Sequence, residues 1–285
     1  METRLTRDRR ELLIGEGRPI AVIGERINPT GRRTLAEQLA RGEFTLVQRD
    51  AQAQSAAGAA LLDVNVGVPG ADQPALMARA VRAIGEVTDL PLCLDSADPQ
   101  VLEAGLQACE GIALVNSVTG EERSLESVLP LVQAHQAAVI ALPMDDKGIP
   151  ATAEERLAVA ERILSRAAAL GIEPHRVLVD PITMAAGADT STAQVTLQTI
   201  ALLRAALGVN IVLGTSNVSH GLPLRPSLNA TFVAMAIALG ARAPIVNPLD
   251  ARMMETVRAA NLFLGQDPWA MAWIKAFRAN RAAAE

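Results

Sequence analysis

Carboxylate and amide side chains follow a series of short apolar segments in this chain, and such groups could hold a polar ligand by hydrogen bonds. The segment IVLGTSNVSHGLP (211–223) shows the pattern, because three apolar residues and a glycine lead into Ser216, Asn217, Ser219 and His220. A carboxylate can accept two parallel N–H bonds from an amidine-like edge, and an Asn amide both donates and accepts. These residue types predict a site for a neutral heterocycle with several N–H donors.

The same pattern recurs along the sequence. Polar residues at or near the ends of the other apolar segments are Glu25, Arg26, Asn28, Asp63, Asn65, Asp95, Asn116, Asp180 and Asn247. Any one of them is typical of a helix cap or a loop anchor. Because so many segments end in the same two chemical groups, we predict that together they form one binding site.

Several common chemistries lack their residues in this sequence. A Ser/His/acid set is not evident, because the three histidines are His135, His175 and His220, and the first two lie in helix-end or loop contexts. There is no HExxH motif, no His-rich metal spacing and no GxxxxGK[ST] phosphate loop. No lysine ends a strand, the nearest being Lys147, which argues against a Schiff base. We therefore predict a site without a metal.

Eight apolar segments that alternate with amphipathic stretches are predicted to be strands. They are PIAVIGE (19–25), ALLDVNV (60–66), LPLCLD (90–95), IALVNS (112–117), AVIALPM (138–144), RVLVDP (176–181), NIVLGTS (210–216) and APIVNP (243–248). The helical stretch 152–171 begins with Thr152 as a cap and Glu155 three residues later, and Gly171 ends it. Strands that alternate with helices pair in parallel.

Eight such units favour a closed (β/α)8 TIM barrel, since their spacing is close to that of about 250 residues divided by eight. We predict a single α/β domain over residues 1–285, with the barrel at about 19–265. A doubly wound open sheet is the alternative, although no GxGxxG motif follows the first strand. Active sites of such barrels form at the carboxyl ends of the strands, where the polar residues lie.

The segment DPWAMAWIKAFRANR (267–281) is predicted to be a C-terminal helix outside the barrel. Trp269, Trp273 and Phe277 follow a four-residue spacing that places them on one helix face. This face either covers one end of the barrel or the adjacent helices, or forms a dimer contact.

Composition restricts the class of protein. Half of the 285 residues are hydrophobic, the net charge is −5, and the aromatic residues are four Phe and two Trp. Nucleic acid usually requires basic patches or stacking platforms, so it is not an expected partner. The charged N-terminus lacks an apolar signal segment, and the longest apolar stretch, 232–241, is shorter than the about 20 residues of a membrane helix. Cys93 and Cys109 show no ligand-like spacing and fit a reducing compartment. We expect a cytoplasmic protein that does not contact a membrane.

An ordered set of motifs lies on the successive strand ends. The motifs are IGERINPTG (23–31), LLDVNVG (61–67), LCLDS (92–96), NSV (116–118), MDDKGIP (144–150), DP (180–181) and TSNVSHGLPLRP (215–226). With this set, the chain resembles the pterin-binding methyltransferases that exchange a methyl group between tetrahydrofolate and a corrinoid protein. The resemblance covers residues from about 20 to 280. It implies a TIM barrel, tetrahydrofolate or 5-methyltetrahydrofolate as substrate, a corrinoid (cobalamin) carried by a separate protein, and a homodimer.

The resemblance also implies roles for individual residues. Asp95 and Asp180 match the two aspartates that hold the donor edge of the pterin, and Asn116 matches an asparagine that faces the ring. Asn217 matches the asparagine that approaches N5, the nitrogen that carries the methyl group, and is the candidate catalytic residue.

Five further residues are weaker candidates for the same pocket. Asn65, Glu25 and Asn28 are expected neighbours of the ligand, and Arg225 matches an arginine that could meet its acidic tail. His220 stands where acetogenic members of the family have glutamine, so the identity of the corrinoid partner stays open.

The implied reaction is an SN2 transfer of the methyl group between N5 and Co(I) of the corrinoid. Without a proton on N5 the folate would leave as an anion, which is a poor leaving group, so N5 must be protonated or hydrogen-bonded as the methyl leaves. Asparagine is not an acid, so we expect the proton to come from solvent through a held water. The sequence has no DxHxxG cobalamin signature, so the corrinoid protein is expected to dock transiently over the barrel mouth. The direction of transfer stays open.

Three alternatives remain. Dihydropteroate synthase shares the barrel but ends the seventh strand in a Ser-Arg-Lys-type segment, where this chain has TSNVS. A non-catalytic folate-binding protein would have the same ring of ligand groups. In the third alternative, an unrelated barrel enzyme uses these strand ends for another small molecule.

Overall fold

Eight parallel strands form a closed barrel in the computed structural model, which describes residues 1–284. The barrel strands are β3 (Ile23–Ile27), β4 (Leu61–Val64), β5 (Leu92–Asp95), β6 (Leu114–Thr119), β7 (Ala138–Leu142), β8 (Val177–Val179), β9 (Ile211–Gly214) and β10 (Ala241–Val246). The last strand, β10, pairs with both β9 and β3, which closes the ring. The predicted TIM barrel is therefore confirmed, each predicted strand is present, and the open sheet is excluded.

Helices follow the strands and surround the barrel. They are α1 (Arg33–Ala40), α2 (Thr45–Ala57), α3 (Gln73–Gly85), α4 (Pro99–Ala108), α5 (Glu122–Ala134), α6 (Ala153–Ala169), α7 (Ser191–Leu207), α8 (Arg225–Leu239), α9 (Ala251–Phe263) and α10 (Met271–Ala284). The predicted cap of α6 is confirmed, because Thr152 accepts from the Glu155 amide and the Glu155 side chain accepts from the Thr152 amide. None of the helices in residues 1–284 is both long and apolar enough to cross a bilayer.

A two-stranded hairpin that the sequence analysis did not predict precedes the barrel. Its strands are β1 (Glu2–Arg7) and β2 (Arg10–Gly15), paired antiparallel. The Thr6 and Ile112 backbones exchange two hydrogen bonds, and Asn210 donates to the Ile14 carbonyl. Asn210 directly precedes β9 and Ile112 lies two residues before β6, so the hairpin lies across the amino ends of the strands.

The interior of the barrel is a layer of buried apolar side chains. Every strand contributes to it, and the hairpin adds two members; the set includes Leu5, Ile14, Ile23, Leu61, Cys93, Leu114, Ala138, Leu178, Val212 and Ala243. All of them are at most 1% exposed. This layer fills the barrel from the amino end, so a polar site has room at the carboxyl end.

The C-terminal helix begins later than predicted. Trp269 has a left-handed backbone, with φ of 60°, and α10 starts only at Met271. Trp273 and Phe277 lie on α10, but Trp269 does not share their helix, so the expectation of one face for all three was wrong. The carboxylate of Asp267 accepts from the amides of Ala272 and Trp273, which fixes where α10 begins.

Candidate active site

A polar cavity opens at the carboxyl ends of the barrel strands. The residues that line it are Glu25, Arg26, Asn28, Thr30, Arg32, Asp63, Asp95, Asn116, Gly214, Ser216, Asn217 and Ile245. They come from strands or strand ends on both sides of the ring, in agreement with the prediction that polar residues at the strand ends form one site. Five of the nine predicted site residues are among them: Glu25, Asn28, Asp95, Asn116 and Asn217.

A β-bulge at the end of β3 directs two charged residues to this cavity. Gly24 pairs with Leu62 and Ile27 with Val64, so Glu25 and Arg26 together oppose the single residue Asp63. In a regular strand, successive side chains point to opposite faces, whereas a bulge changes the direction of one of them. The bulge therefore explains how neighbours in sequence both line the cavity.

Two aspartates form an acidic pair within the cavity. Each is bound by an amide from another strand or strand end: Asn116 Nδ2 donates to Asp63 Oδ1 at 3.2 Å, and Asn65 Nδ2 donates to Asp95 Oδ2 at 3.0 Å. Burial and the charge of Asp95 raise the pKa of Asp63 to about 8, and burial also raises the pKa of Asp95. The pair therefore tends to hold a proton near neutral pH.

Asn65 orients this pair from the edge of the cavity. Its Oδ1 accepts from the Gly67 amide at 2.8 Å while its Nδ2 donates to Asp95. The structure therefore brings Asn65 to the site as a partner of Asp95, although it does not line the cavity itself.

Glu25 is a third acid in the cavity and has a different kind of partner. The Ser216 hydroxyl donates to its Oε1 at 2.8 Å, across the end of the intervening strand β10. Burial raises the pKa of Glu25, while Ser216, Arg26 and Arg225 partly offset that shift.

Asp180 is buried beside the cavity rather than among its lining residues. Its Oδ1 accepts from the Ile182 amide at 2.7 Å, and the amide of Gly214, a lining residue, also stabilises its charge. Burial nevertheless raises the pKa of Asp180 to about 6. Its contact with the ligand stays a prediction.

The segment after β9 forms a short 3-10 helix, Thr215–Ser219, and this turn carries Asn217. Asn217 is exposed on this turn and lines the cavity. Arg225 donates to the Ser219 hydroxyl at 3.0 Å and to the Ser216 carbonyl at 2.9 Å, so it stabilises the turn. Neither Arg225 nor the exposed His220 is among the lining residues, and their predicted roles towards ligand and partner stay predictions.

The remaining strand-end residues are loop anchors. Asn28 Oδ1 accepts from the Thr30 amide at 2.9 Å while the residue lines the cavity, and Asn247 accepts from the Leu249 amide at 3.1 Å outside it. Both contacts are Asx turns, in which a side chain fixes its own loop.

Sequence reasoning missed several lining residues or gave them no role in binding. Asp63 and Arg26 were noticed only as strand-end polar residues, and Thr30, Arg32 and Ser216 received no role. Arg32 forms an ion pair with buried Asp50 at 2.7 Å and donates to the Arg26 carbonyl. The signals that could have identified them are the charged pair inside IGERIN and the hydroxyl that precedes Asn217.

The cavity offers oxygen acceptors and amides together with two guanidinium groups. Within residues 1–284, the side chains of His, Cys, Asp and Glu form no group of three or more placed to hold a metal ion. The donor set fits an uncharged ring that presents N–H groups to Asp63 and Asp95, with an anionic portion near Arg26 or Arg32.

Comparisons with known proteins agree with this chemistry. Residues 24–247 match the family model described as pterin binding enzyme. The methylcorrinoid:tetrahydrofolate methyltransferase of Eubacterium limosum is 28% identical over 266 residues, which cover 91% of this chain and 97% of that protein. Methionine synthase of Mycobacterium leprae is 32% identical over 267 residues, but this chain spans only 22% of that protein.

Solved structures show the same fold. A dihydropteroate synthase of Xanthomonas albilineans superposes with a TM-score of 0.67 at 23% identity, covering 93% of this chain and 98% of the other. One from Yersinia pestis superposes with a TM-score of 0.69 at 19% identity, covering 92% and 98%. At these identities the likeness supports the architecture and not a shared reaction.

Proposed function

The chain belongs to the family of pterin-binding enzymes, and from that premise we propose that it is a methyltransferase acting between tetrahydrofolate and a corrinoid protein. In this reaction a methyl group passes between N5 of the folate and the cobalt of a corrinoid that a separate protein carries. The observation that carries the proposal is the similarity to a methylcorrinoid:tetrahydrofolate methyltransferase over 97% of that protein's length. The direction of transfer is part of what an assay must establish.

The geometry of the cavity supports a pterin as the bound ring. A pterin presents a 2-amino group and N3–H as a donor edge, which one carboxylate can accept as two parallel hydrogen bonds. Asp95 and Asp63 lie in the cavity with amides already fixing their orientation. Asn116 bonds Asp63 and lines the same cavity, so ring and acids would share one network.

Asn217 is proposed to act at N5. It lines the cavity from an exposed turn, where its amide can donate to or accept from a ring nitrogen without changing its own charge. The enzyme's contribution is then orientation of the folate and electrostatic support at N5 while the N–CH3 bond breaks or forms. No covalent intermediate with the protein is required.

The second substrate is proposed to arrive on a corrinoid protein that docks transiently over the cavity mouth. Cobalt must approach N5 from outside the barrel, because the apolar layer of side chains fills the other end. We expect this encounter in the cytoplasm.

A homodimer is proposed to form through the C-terminal segment. Phe263, Trp269, Met271 and Phe277 are all more than 60% exposed, with Trp269 at 92%. A short segment that exposes several large apolar side chains is typical of an interaction surface. Light scattering of the wild type and of Trp269→Ala should show a dimer that the substitution weakens; a monomeric wild type would contradict the proposal.

The function is tested by mixing the protein with a methylated corrinoid protein and tetrahydrofolate and following 5-methyltetrahydrofolate and Co(I). Asn217→Ala should lower the transfer rate by about 10-fold or more while weakening folate binding less, because the amide acts on the reacting nitrogen. Equal losses in both would assign Asn217 to anchoring. Folate binding without any transfer would indicate the non-catalytic alternative.

Two controls separate the remaining alternatives. Asp95→Ala and Asp180→Ala should both abolish or strongly weaken folate binding measured by calorimetry, and a wild type that binds no folate would overturn the pterin reading. Incubation with 4-aminobenzoate and a dihydropterin pyrophosphate should give no condensation; a product would indicate dihydropteroate synthase instead.

A further inference from the structure

Glu25 differs from the other acids at the cavity in what binds it. Asp95 is bound by an Asn amide, Asp63 by an Asn amide and the buried Cys93 thiol, and Asp180 by backbone amides; an N–H group can only donate, and a thiol is a weak hydrogen-bonding group. Glu25 is bound by the hydroxyl of Ser216, 2.8 Å from its Oε1. A hydroxyl donates to a carboxylate and can rotate to accept from a carboxylic acid. Glu25 can therefore gain or lose a proton while its partner stays hydrogen-bonded in both states.

The position of Glu25 also suits a group that meets the ligand. It lines the cavity together with Ser216 and Asn217, which are adjacent in the 3-10 turn. Its Oε2 makes no hydrogen bond with any residue in the described part of the chain, so this oxygen is available to a ligand or a water. Glu25 is thus linked through one residue to the amide proposed to act at N5.

The charges around Glu25 come from three elements. Arg26 follows it in the β3 bulge, Arg225 approaches from the first turn of α8, and Asp63 faces it from β4. The two arginines favour the carboxylate, whereas burial favours the acid. The balance raises the pKa of Glu25, which moves its ionisation towards the range in which an enzyme operates.

We propose that Glu25 is the proton-transfer residue for N5 of the folate, an inference that rests on the methyltransferase function proposed above. In one direction, the carboxylic acid gives its proton to N5 of 5-methyltetrahydrofolate; the N–CH3 bond then breaks, its electron pair stays on N5, and Co(I) forms the new bond to the methyl group. In the other direction, the N5 lone pair forms the bond to the methyl group, the Co–C electron pair stays on cobalt, and the proton of N5 passes to the carboxylate. A single water can bridge Glu25 and N5. The solvent then exchanges protons with Glu25 rather than directly with the ring.

The two directions of transfer require opposite protonation states of Glu25, so their rates should depend on pH in opposite ways. Transfer from 5-methyltetrahydrofolate should slow as the pH rises through the ionisation of Glu25, whereas transfer from the methylated corrinoid protein should become faster. Single-turnover rates between pH 5 and 9, measured in both directions with the full-length protein, report these two opposite dependences, which form a falling limb and a rising limb of the pH profiles.

Glu25→Gln removes the proton and keeps an oxygen that can accept from Ser216. We expect the single-turnover rate to fall roughly 10²–10⁴-fold, both limbs assigned to Glu25 to vanish, and the Kd for tetrahydrofolate to change less than about threefold. Circular dichroism and the thermal midpoint control for folding. Ser216→Ala keeps the carboxyl but removes the hydrogen bond that favours its charge, so both limbs should persist with midpoints shifted to higher pH.

The outcomes separate this inference from the proposed function. A wild type that transfers methyl groups, with a Glu25→Gln variant of unchanged rate and pH profile, would overturn the role of Glu25 alone. A variant that loses rate and affinity in equal proportion would likewise reduce Glu25 to a binding group. A wild type that transfers no methyl group under any condition would overturn the proposed function and this inference with it.

Discussion

Asp63 shows how strongly the site perturbs a single residue. It is 4% exposed, it lies beside Asp95, and its pKa is raised to about 8. Burying a carboxylate next to another acid opposes folding at neutral pH. A residue that weakens the fold in this way is typical of a functional site, where stability is exchanged for activity.

Asp63→Asn should therefore stabilise the protein at high pH. Because the folded-state pKa lies above the unfolded value, the folded protein binds more protons, and its free energy of unfolding falls as the pH rises from about 4 towards about 8. Asparagine does not titrate and keeps an oxygen for Asn116. We expect the thermal midpoint of the variant to exceed that of the wild type by about 3 °C or more at pH 8.5, and by less at pH 5.

Asp189→Asn provides the matched control. Asp189 is an exposed carboxylate whose pKa is lowered by hydrogen bonds from Ser191. Its replacement should raise the thermal midpoint at no pH. A midpoint for Asp63→Asn that follows the wild type at every pH would show that Asp63 is not perturbed.

Arg26 is the residue we expect to bind the acidic tail of the folate. Its side chain lines the cavity and makes no hydrogen bond or ion pair within residues 1–284, whereas Arg225 is engaged by Ser219 and by the Ser216 carbonyl. Arg26→Gln should weaken tetrahydrofolate binding about tenfold and leave binding of a tetrahydropterin without the tail unchanged. Calorimetry with both ligands measures this. Arg225→Gln should affect the two ligands alike, because it acts through the turn; the reverse pattern would restore the assignment of the tail to Arg225.

At the scale of elements, the sequence predicted the repeating units but not their irregularities. All eight barrel strands, the order of their pairing and the cap of α6 follow from apolar runs and capping residues, which are local signals. The bulge in β3 is not a local signal, because it depends on how Gly24 and Ile27 pair with β4. This is why the sequence named Glu25 as a candidate neighbour of the ligand, while it noted Arg26 only as one of the polar residues at the strand ends.

The hairpin and the C-terminal segment were harder to predict for related reasons. In β1, buried Thr3, Leu5 and Arg7 alternate with exposed or half-buried residues, and two of the three buried residues are polar. The buried guanidinium of Arg7 donates to the Val81 carbonyl, a contact that sequence alone does not suggest. In the C-terminal segment, the four-residue spacing from Trp269 suggested a helix that includes Trp269. The carboxylate of Asp267 instead caps a helix that begins two residues after Trp269, at Met271.

Helix α6 provides a prediction at this scale, because it holds the loop that follows Asp180. Arg156 is 2% exposed and donates to the carbonyls of Pro181 at 2.7 Å and Ile182 at 2.8 Å. Arg156→Lys should lower the free energy of unfolding by about 2 kcal/mol, because a single ammonium group cannot replace both the Nη1 bonds to these carbonyls and the Nε bond to the Pro150 carbonyl, and it leaves a buried acceptor unpaired. It should also weaken folate binding. Urea denaturation and calorimetry measure the two effects.

Arg166→Lys on the same helix is the comparison. Arg166 forms an exposed pair with Glu122, and such pairs contribute about 0–1 kcal/mol. Similar losses for both substitutions would contradict a role for Arg156 in fixing the loop.

At the scale of the whole molecule, the two ends of the barrel have different roles, one in stability and the other in the proposed function. The hairpin and the apolar layer stabilise the amino end, while the acids with raised pKa values and the amides that bind them occupy the carboxyl end. The barrel separates the two regions, so changes at one end should leave the other intact. This separation allows a destabilising polar site to exist in a stable protein.

Leu5→Ala tests this division. Leu5 is fully buried in the interior layer, and such a substitution costs about 2–5 kcal/mol of stability. We expect a lower midpoint in urea together with unchanged folate affinity at low urea. Leu170→Ala, at a side chain that is 44% exposed, should cost less than about 1 kcal/mol. Loss of affinity in folded Leu5→Ala would show that the two ends are coupled.

The hairpin beneath the barrel also determines the sequence of binding events in the proposed reaction. Since the hairpin and the apolar layer close that end, the folate and the much larger corrinoid protein must both approach through the mouth of the cavity. A folate seated inside would be trapped once the protein has docked, and it could not enter afterwards. Turnover should therefore be of compulsory order, with folate as the first reactant to arrive and the last product to depart.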